Sequence, residues 1–194
     1  VVETPLRVLV RACRERSEWV REILAQLPQA EVIWDQDRNA MTTFRRAMEA
    51  AGDAAALHIE DDALLCEHFQ RRFTGVLDRA RGMPIQLFSM RSADLTIGSR
   101  FAPGSTFLAA VCFYLPPGFS MGVLDLSRSW PRIAEHPTGC DLLVADYLKS
   151  RRCRYWLEVP NLADHRFGVS LIDRRRSRYR RSLTFEGIGR GGGS

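Results

Sequence analysis

Lysine is nearly missing from this chain: Lys149 is the only one among 28 basic residues, so the net charge of +5 is carried by arginine. Cysteine is sparse and unpatterned. Cys13, Cys66, Cys112, Cys140 and Cys153 are odd in number, far apart and form no CxxC pair, which argues against a disulfide framework and against a zinc cluster. Long apolar runs are also missing; the stretches near residues 6–10 and 105–118 are short or broken by Pro and Gly, and no signal-peptide h-region is seen. The expectation is a cytoplasmic protein, in a bacterium or a phage-infected host, with no membrane segment and no obligate protein partner. There is no internal repeat, and no Gly-rich loop ending in Lys that would cradle a triphosphate.

The composition that is present, 45% hydrophobic and 26% charged, is that of a packed globular fold. The length of 194 residues suits one domain, expected over 1–173, followed by a basic and Gly-rich tail over 174–194. Residues 6–12 (LRVLVRA) read as a strand, and Ser17 offers an N-cap to a helical pattern through Trp19, Val20, Ile23, Leu24 and Leu27 that stops at Pro28. The unit repeats: a strand at 31–34 (EVIW), an Asp-rich loop from Asp35 to Asn39, then a helix through Met41, Phe44, Ala47 and Met48 up to Gly52. Residues 55–59 form a third apolar run, followed by acids and a helical pattern at Phe69, Phe73, Val76 and Leu77.

Later the pattern changes. A strand is expected at 85–89, irregular chain at 92–103, a long β-rich run at 106–115, helices at 119–130 and 141–150, and a last strand at 155–159. Alternating strands and helices imply an α/β fold, a Rossmann-like mixed and mostly parallel sheet flanked by helices, with ligands beyond the carboxyl ends of the strands. That rule puts Asp35, Asp37, Glu60, Asp61 and Asp62 on one rim.

Three adjacent carboxylates after a buried strand raise one another's pKa unless a cation or hydrogen-bond donors compensate them. Hard oxygen ligands suit Mg²⁺ or Mn²⁺, ions that take one or two protein carboxylates and leave other positions to substrate phosphates. The bland alternative is a solvated turn whose acids complement a helix N-terminus.

Glu60-Asp61-Asp62 after an apolar strand resembles the variant DXD motif of GT-A-fold nucleotide-sugar glycosyltransferases. Two later segments resemble that family as well: Gly139-Cys140-Asp141-Leu142-Leu143 opening a helix, similar to its acceptor-side acidic motif, and residues 159–165 (VPNLADH), similar to its closing strand, Pro and His segment. The resemblance covers roughly residues 6–172 in order of elements. It implies Asp62 and His165 as metal ligands, Glu60 and Asp61 as donor-site carboxylates, Asp35 as a nucleoside contact and Asp141 as the general base. It also implies Mn²⁺ or Mg²⁺ and a nucleotide-sugar donor of the UDP-sugar type. The sequence departs from the family in having Glu at the first DXD position, no second acid beside Asp141, and a short chain. Read by residue type alone, Asp141 is equally a helix cap and His165 an ordinary surface or capping histidine.

The run Arg174, Arg175, Arg176, Arg178, Arg180 and Arg181, with Tyr179 inside it, is expected to contact nucleic-acid phosphates, a solvated tail being the plain alternative. With the small size, it resembles phage-type glycosyltransferases that decorate hydroxymethylated pyrimidines, which makes DNA the expected acceptor. A protein or glycan acceptor, and a non-catalytic nucleic-acid-binding module, stay open beside it.

Overall fold

Successive strand residues face opposite sides of a sheet, and here that alternation divides the apolar side chains between two helical layers. The computed structural model describes residues 5–168, 171 and 180–187. β1 (Arg7–Ala12) leads through a 3-10 turn (Arg14–Arg16) into α1 (Ser17–Gln26), β2 (Glu31–Trp34) into α2 (Ala40–Ala51), and β3 (Ala56–Glu60) into a short β4 (Ala63–Leu65) and α3 (Phe69–Ala80). Then come β5 (Ile85–Gln86), α4 (Asp94–Ile97), β6 (Arg100–Pro103) and β7 (Cys112–Leu115). The remaining elements are α5 (Phe119–Arg128), α6 (Cys140–Ser150), β8 (Arg154–Leu157) and β9 (Ala163–His165).

Seven strands form one sheet in the order β2-β1-β3-β7-β5-β8-β6. Their pairings make five strands run one way, with β7 and β6 opposed. This is the expected mixed, mostly parallel α/β sheet. β4 and β9 form a separate antiparallel pair.

Val8 and Val10 of β1, Leu57 and Ile59 of β3, and Cys112 and Tyr114 of β7 pack with α1 and α3 through Val20, Ile23, Phe69, Phe73 and Val76. Phe113 and Leu115 face the other layer, with Met41, Phe44 and Met48 of α2, Val123 of α5, and Leu143 and Leu148 of α6. Burying a side chain such as Phe44 or Phe113 contributes roughly 1.5–3 kcal/mol, so these two layers hold the sheet edge in place. Alternation also sends Arg11 and His58 to the second side. The Arg11 guanidinium lies 5.1 Å from the Phe44 ring and 5.7 Å from Phe113, and His58 stacks on Phe113 at 5.0 Å.

α2 starts where the Asn39 side chain accepts the N–H groups of Met41 and Thr42, and ends at Gly52, whose φ of 57° suits glycine.

Two stretches differ from the sequence expectation. The β-rich run over 106–115 is a strand only from Cys112, because Ala109 takes φ of 67° and the carbonyls of Leu108 and Ala110 accept from the Gln86 and Arg11 side chains instead of a neighbouring strand. The supposedly irregular 92–103 holds α4 and the edge strand β6. There Pro103 ends the outermost strand, a position that tolerates its missing N–H.

Candidate functional site

β1, β2 and β3 are parallel neighbours, with Ala12 opposite Trp34 and Arg11 opposite Glu60, so all three leave the sheet at the same edge. The Asp35 N–H donates to the Ala12 carbonyl at 2.6 Å and the Asp61 N–H to the Arg11 carbonyl at 3.0 Å, which carries the ladder one step past the strands. Backbone pairing thus gathers the acids before any side chain acts.

From there the acids diverge. Asp61, buried, accepts the Cys13 N–H at 2.8 Å and the Arg16 guanidinium at 2.7 Å. Asp62, equally buried, accepts from the same Arg16 nitrogen at 2.6 Å through Oδ2, while its Oδ1 is enclosed without a hydrogen-bond partner. Arg16 is fixed over the Trp19 ring at 5.1 Å. Glu60 lies 3.3 Å from the Arg11 guanidinium.

His165 reaches this corner because β4 pairs with β9 in a register that sets Ala63 opposite His165, and the Arg166 N–H donates to the Asp62 carbonyl at 2.8 Å. Its Nε2 stands 3.2 Å from Asp62 Oδ2. The Nδ1 lies 2.7 Å from the Arg166 carbonyl, a contact in which Nδ1–H donates, and this leaves the lone pair on Nε2. The Arg180 guanidinium donates to that Nε2 at 2.7 Å. Arg181 donates to Asp164, whose other oxygen accepts the N–H groups of His165 and Ser182.

These surroundings push two neighbouring carboxyls apart. Burial raises Glu60 to about 7, against the opposing charge of Arg11. Burial acts on Asp62 in the same sense, but the positive charges of Arg16 and Arg180 oppose it, and the carboxyl is held below its ordinary value. Arg16 is raised above its ordinary value, since Asp62 and Asp61 outweigh its desolvation. Burial and Asp61 raise the Cys13 thiol to about 12, so it is no nucleophile at neutral pH.

Asp141 sits in the first turn of α6 and accepts the Ala109 N–H at 3.1 Å and the Leu142 N–H at 3.0 Å. The next carbonyl, Ala110, accepts from Arg11, the residue paired with Glu60. Asp141 is therefore joined to the acidic edge through the 109–110 segment, and it also takes a first-turn N–H of α6, whose N-cap position is held by Gly139. Asp35 accepts the N–H groups of Asp37 and Asn39 and shapes the loop after β2. Arg180 and Arg181 turn toward His165 and Asp164; Arg174, Arg175, Arg176 and Arg178 lie outside the described residues.

Among the described residues no three His, Cys, Asp or Glu side chains converge as a metal cage. The residues that sequence reasoning missed are Arg11, Arg16 and Asp164. Only Arg11 had a local signal, as a charge that follows the apolar run Val8-Leu9-Val10 within one strand.

No family model matches the chain, and no curated protein matches it. Among solved structures, a glycosyltransferase involved in the glycosylation of the major capsid of PBCV-1 aligns with 77% of this chain and 92% of its own, at 10% identity and a TM-score of 0.31. A likeness that loose carries no functional inference.

Proposed function

We propose that this protein is a metal-dependent glycosyltransferase that moves a sugar from a nucleotide-diphosphate sugar, of the UDP-sugar type, to a hydroxyl acceptor. The observation that carries the reading is the meeting of Asp62 and His165 at 3.2 Å beyond the carboxyl ends of parallel strands, with Asp62 Oδ1 buried and unpartnered. With its proton on Nδ1, His165 turns a lone pair toward an anionic oxygen. Arg16 and Arg180 supply positive charge to this pair, and the buried Oδ1 with no donor leaves room for one more ligand bond, to a metal cation.

The donor set fits Mg²⁺ or Mn²⁺, with Asp62 and His165 as the two protein ligands and substrate phosphate oxygens completing the shell. Bound there, the ion would offset the charge developing on the departing diphosphate. Arg16 holds Asp61 and Asp62 in register, and Glu60 and Asp61 frame the donor side. Asp141 is the base in this reading. Each of its oxygens accepts one N–H and retains a lone pair, enough to take the hydroxyl proton as the acceptor oxygen bonds the anomeric carbon and the carbon–diphosphate bond breaks.

DNA as acceptor has the thinner support, because Arg180 and Arg181 are engaged with His165 and Asp164. Salt-sensitive DNA binding that depends on Arg174, Arg175, Arg176 and Arg178 would favour it over a protein or glycan. The central test is nucleoside diphosphate release from a donor panel with Mn²⁺ or Mg²⁺. Asp62→Ala is expected to lower release at least about 100-fold, the scale of losing one transition-state stabiliser. Equal release by both proteins, or none by either, would sink the reading.

A further inference from the structure

We infer that Arg180 is a built-in competitor for the divalent cation, a side chain that must leave His165 before an ion can hold His165 and Asp62 together. The inference rests on the metal reading above and names what sets the ion's affinity.

A neutral imidazole has one lone pair. With Nδ1–H given to the Arg166 carbonyl, that pair is on Nε2, and the Arg180 guanidinium takes it at 2.7 Å. A guanidinium N–H and a metal ion cannot share it, so the two occupants exclude one another. Arg180 also adds positive charge beside Asp62, which repels an incoming ion.

The two cations at this corner are held differently. Arg16 is clamped by two carboxylates and a tryptophan face. Arg180 donates to the His165 ring nitrogen and lies beside Asp62, and its Nε is buried without a partner, so fewer contacts hold it than hold Arg16. The backbone beside it is anchored independently. Ser182 N–H donates to Asp164 at 2.7 Å, Ser182 Oγ to Asn161 at 2.7 Å, and the Asn161 N–H to Thr184 Oγ1 at 3.2 Å. A swing of one side chain therefore frees the site without undocking the segment, and Asp62 Oδ1 is an acceptor that an arriving ion can use first.

The test is calorimetric titration of Mn²⁺ into the whole protein and its variants, without donor. Arg180→Ala is expected to bind Mn²⁺ at least about tenfold tighter, since the wild type exposes its site only in the fraction of molecules with Arg180 displaced. Arg180→Met, which keeps the stem, serves if the alanine variant folds poorly. Arg181→Ala removes the same charge from the same segment but no Nε2 contact, and should stay within about threefold of wild type, an effect below the usual range of site coupling. Equal Mn²⁺ affinity in wild type and both Arg180 variants overturns the competition and leaves the metal reading standing. A gain from Arg181→Ala as large as that from Arg180→Ala overturns it in favour of general charge repulsion. Binding by none of these proteins removes both ideas.

Discussion

Asp62 and Asp141 are carboxylates of one rim, linked through Glu60, Arg11 and the 109–110 segment, yet they are satisfied by opposite means. Asp62 is surrounded by cations and a histidine, with one oxygen left over. Asp141 takes backbone N–H groups on both oxygens. A guanidinium can be exchanged for another cation, whereas a backbone N–H holds a loop in place. One corner is held by charged side chains and the other by the backbone.

The largest effect should come from removing the cation that serves two acids. Arg16→Ala leaves Asp61 and Asp62 buried without it, and urea unfolding should show a loss of about 3–5 kcal/mol, the usual cost of breaking a buried pair from one side. A loss under about 1 kcal/mol would mean that Arg180 and His165 suffice and that the contrast with Asp141 is weak.

Asp141→Ala removes the acceptor of the Ala109 and Leu142 N–H groups but strands no buried charge, so the expected loss is smaller, about 1.5–3 kcal/mol, the range for hydrogen bonds to a charged group. Limited proteolysis should show faster cleavage near residue 109 in this variant and unchanged cleavage near Cys13.

His58 supplies a third case, a buried polar group beside a positive charge. Burial, with Arg11 nearby, holds its imidazole well below the ordinary value of 6.5, and its Nδ1 has no partner. The unfolded chain takes up a proton near pH 6.5 and the folded chain does not. Stability from this group is therefore full above that pH and falls as pH drops, by at most about 1.4 kcal/mol per unit. His58→Phe should flatten that acid limb in denaturation curves taken from pH 7 to 5; an unchanged slope would show that another group sets it.

Arg7 and Glu31 are the same ion-pair chemistry in solvent, with side chains 41% and 48% exposed. Arg7→Ala should cost under about 1 kcal/mol in the same assay. A larger loss would break the rule that burial separates the Arg16 corner from a surface pair.

The helices and the first three strands were legible because each carries an uninterrupted period or apolar run. Phe69, Phe73 and Val76 trace one face of α3, and 31–34 is the strand that forms. β4 and β9 were not, since three residues contain no usable period and their pairing joins segments far apart in sequence. The acidic triplet and His165 were visible as residues, but the partners of Asp62 were not. Arg16 reads as one arginine among many until the loop after β1 folds back over the rim.

Composition and periodicity, acting through local burial, determined that strands and helices alternate and that Glu60, Asp61 and Asp62 stand at a strand end. Which acid meets a guanidinium, which keeps an oxygen without a partner and where Arg180 rests were decided only when non-local pairing set the distances. Coulomb and hydrogen-bond energies depend on separations of a few ångströms, and a linear chain does not contain them.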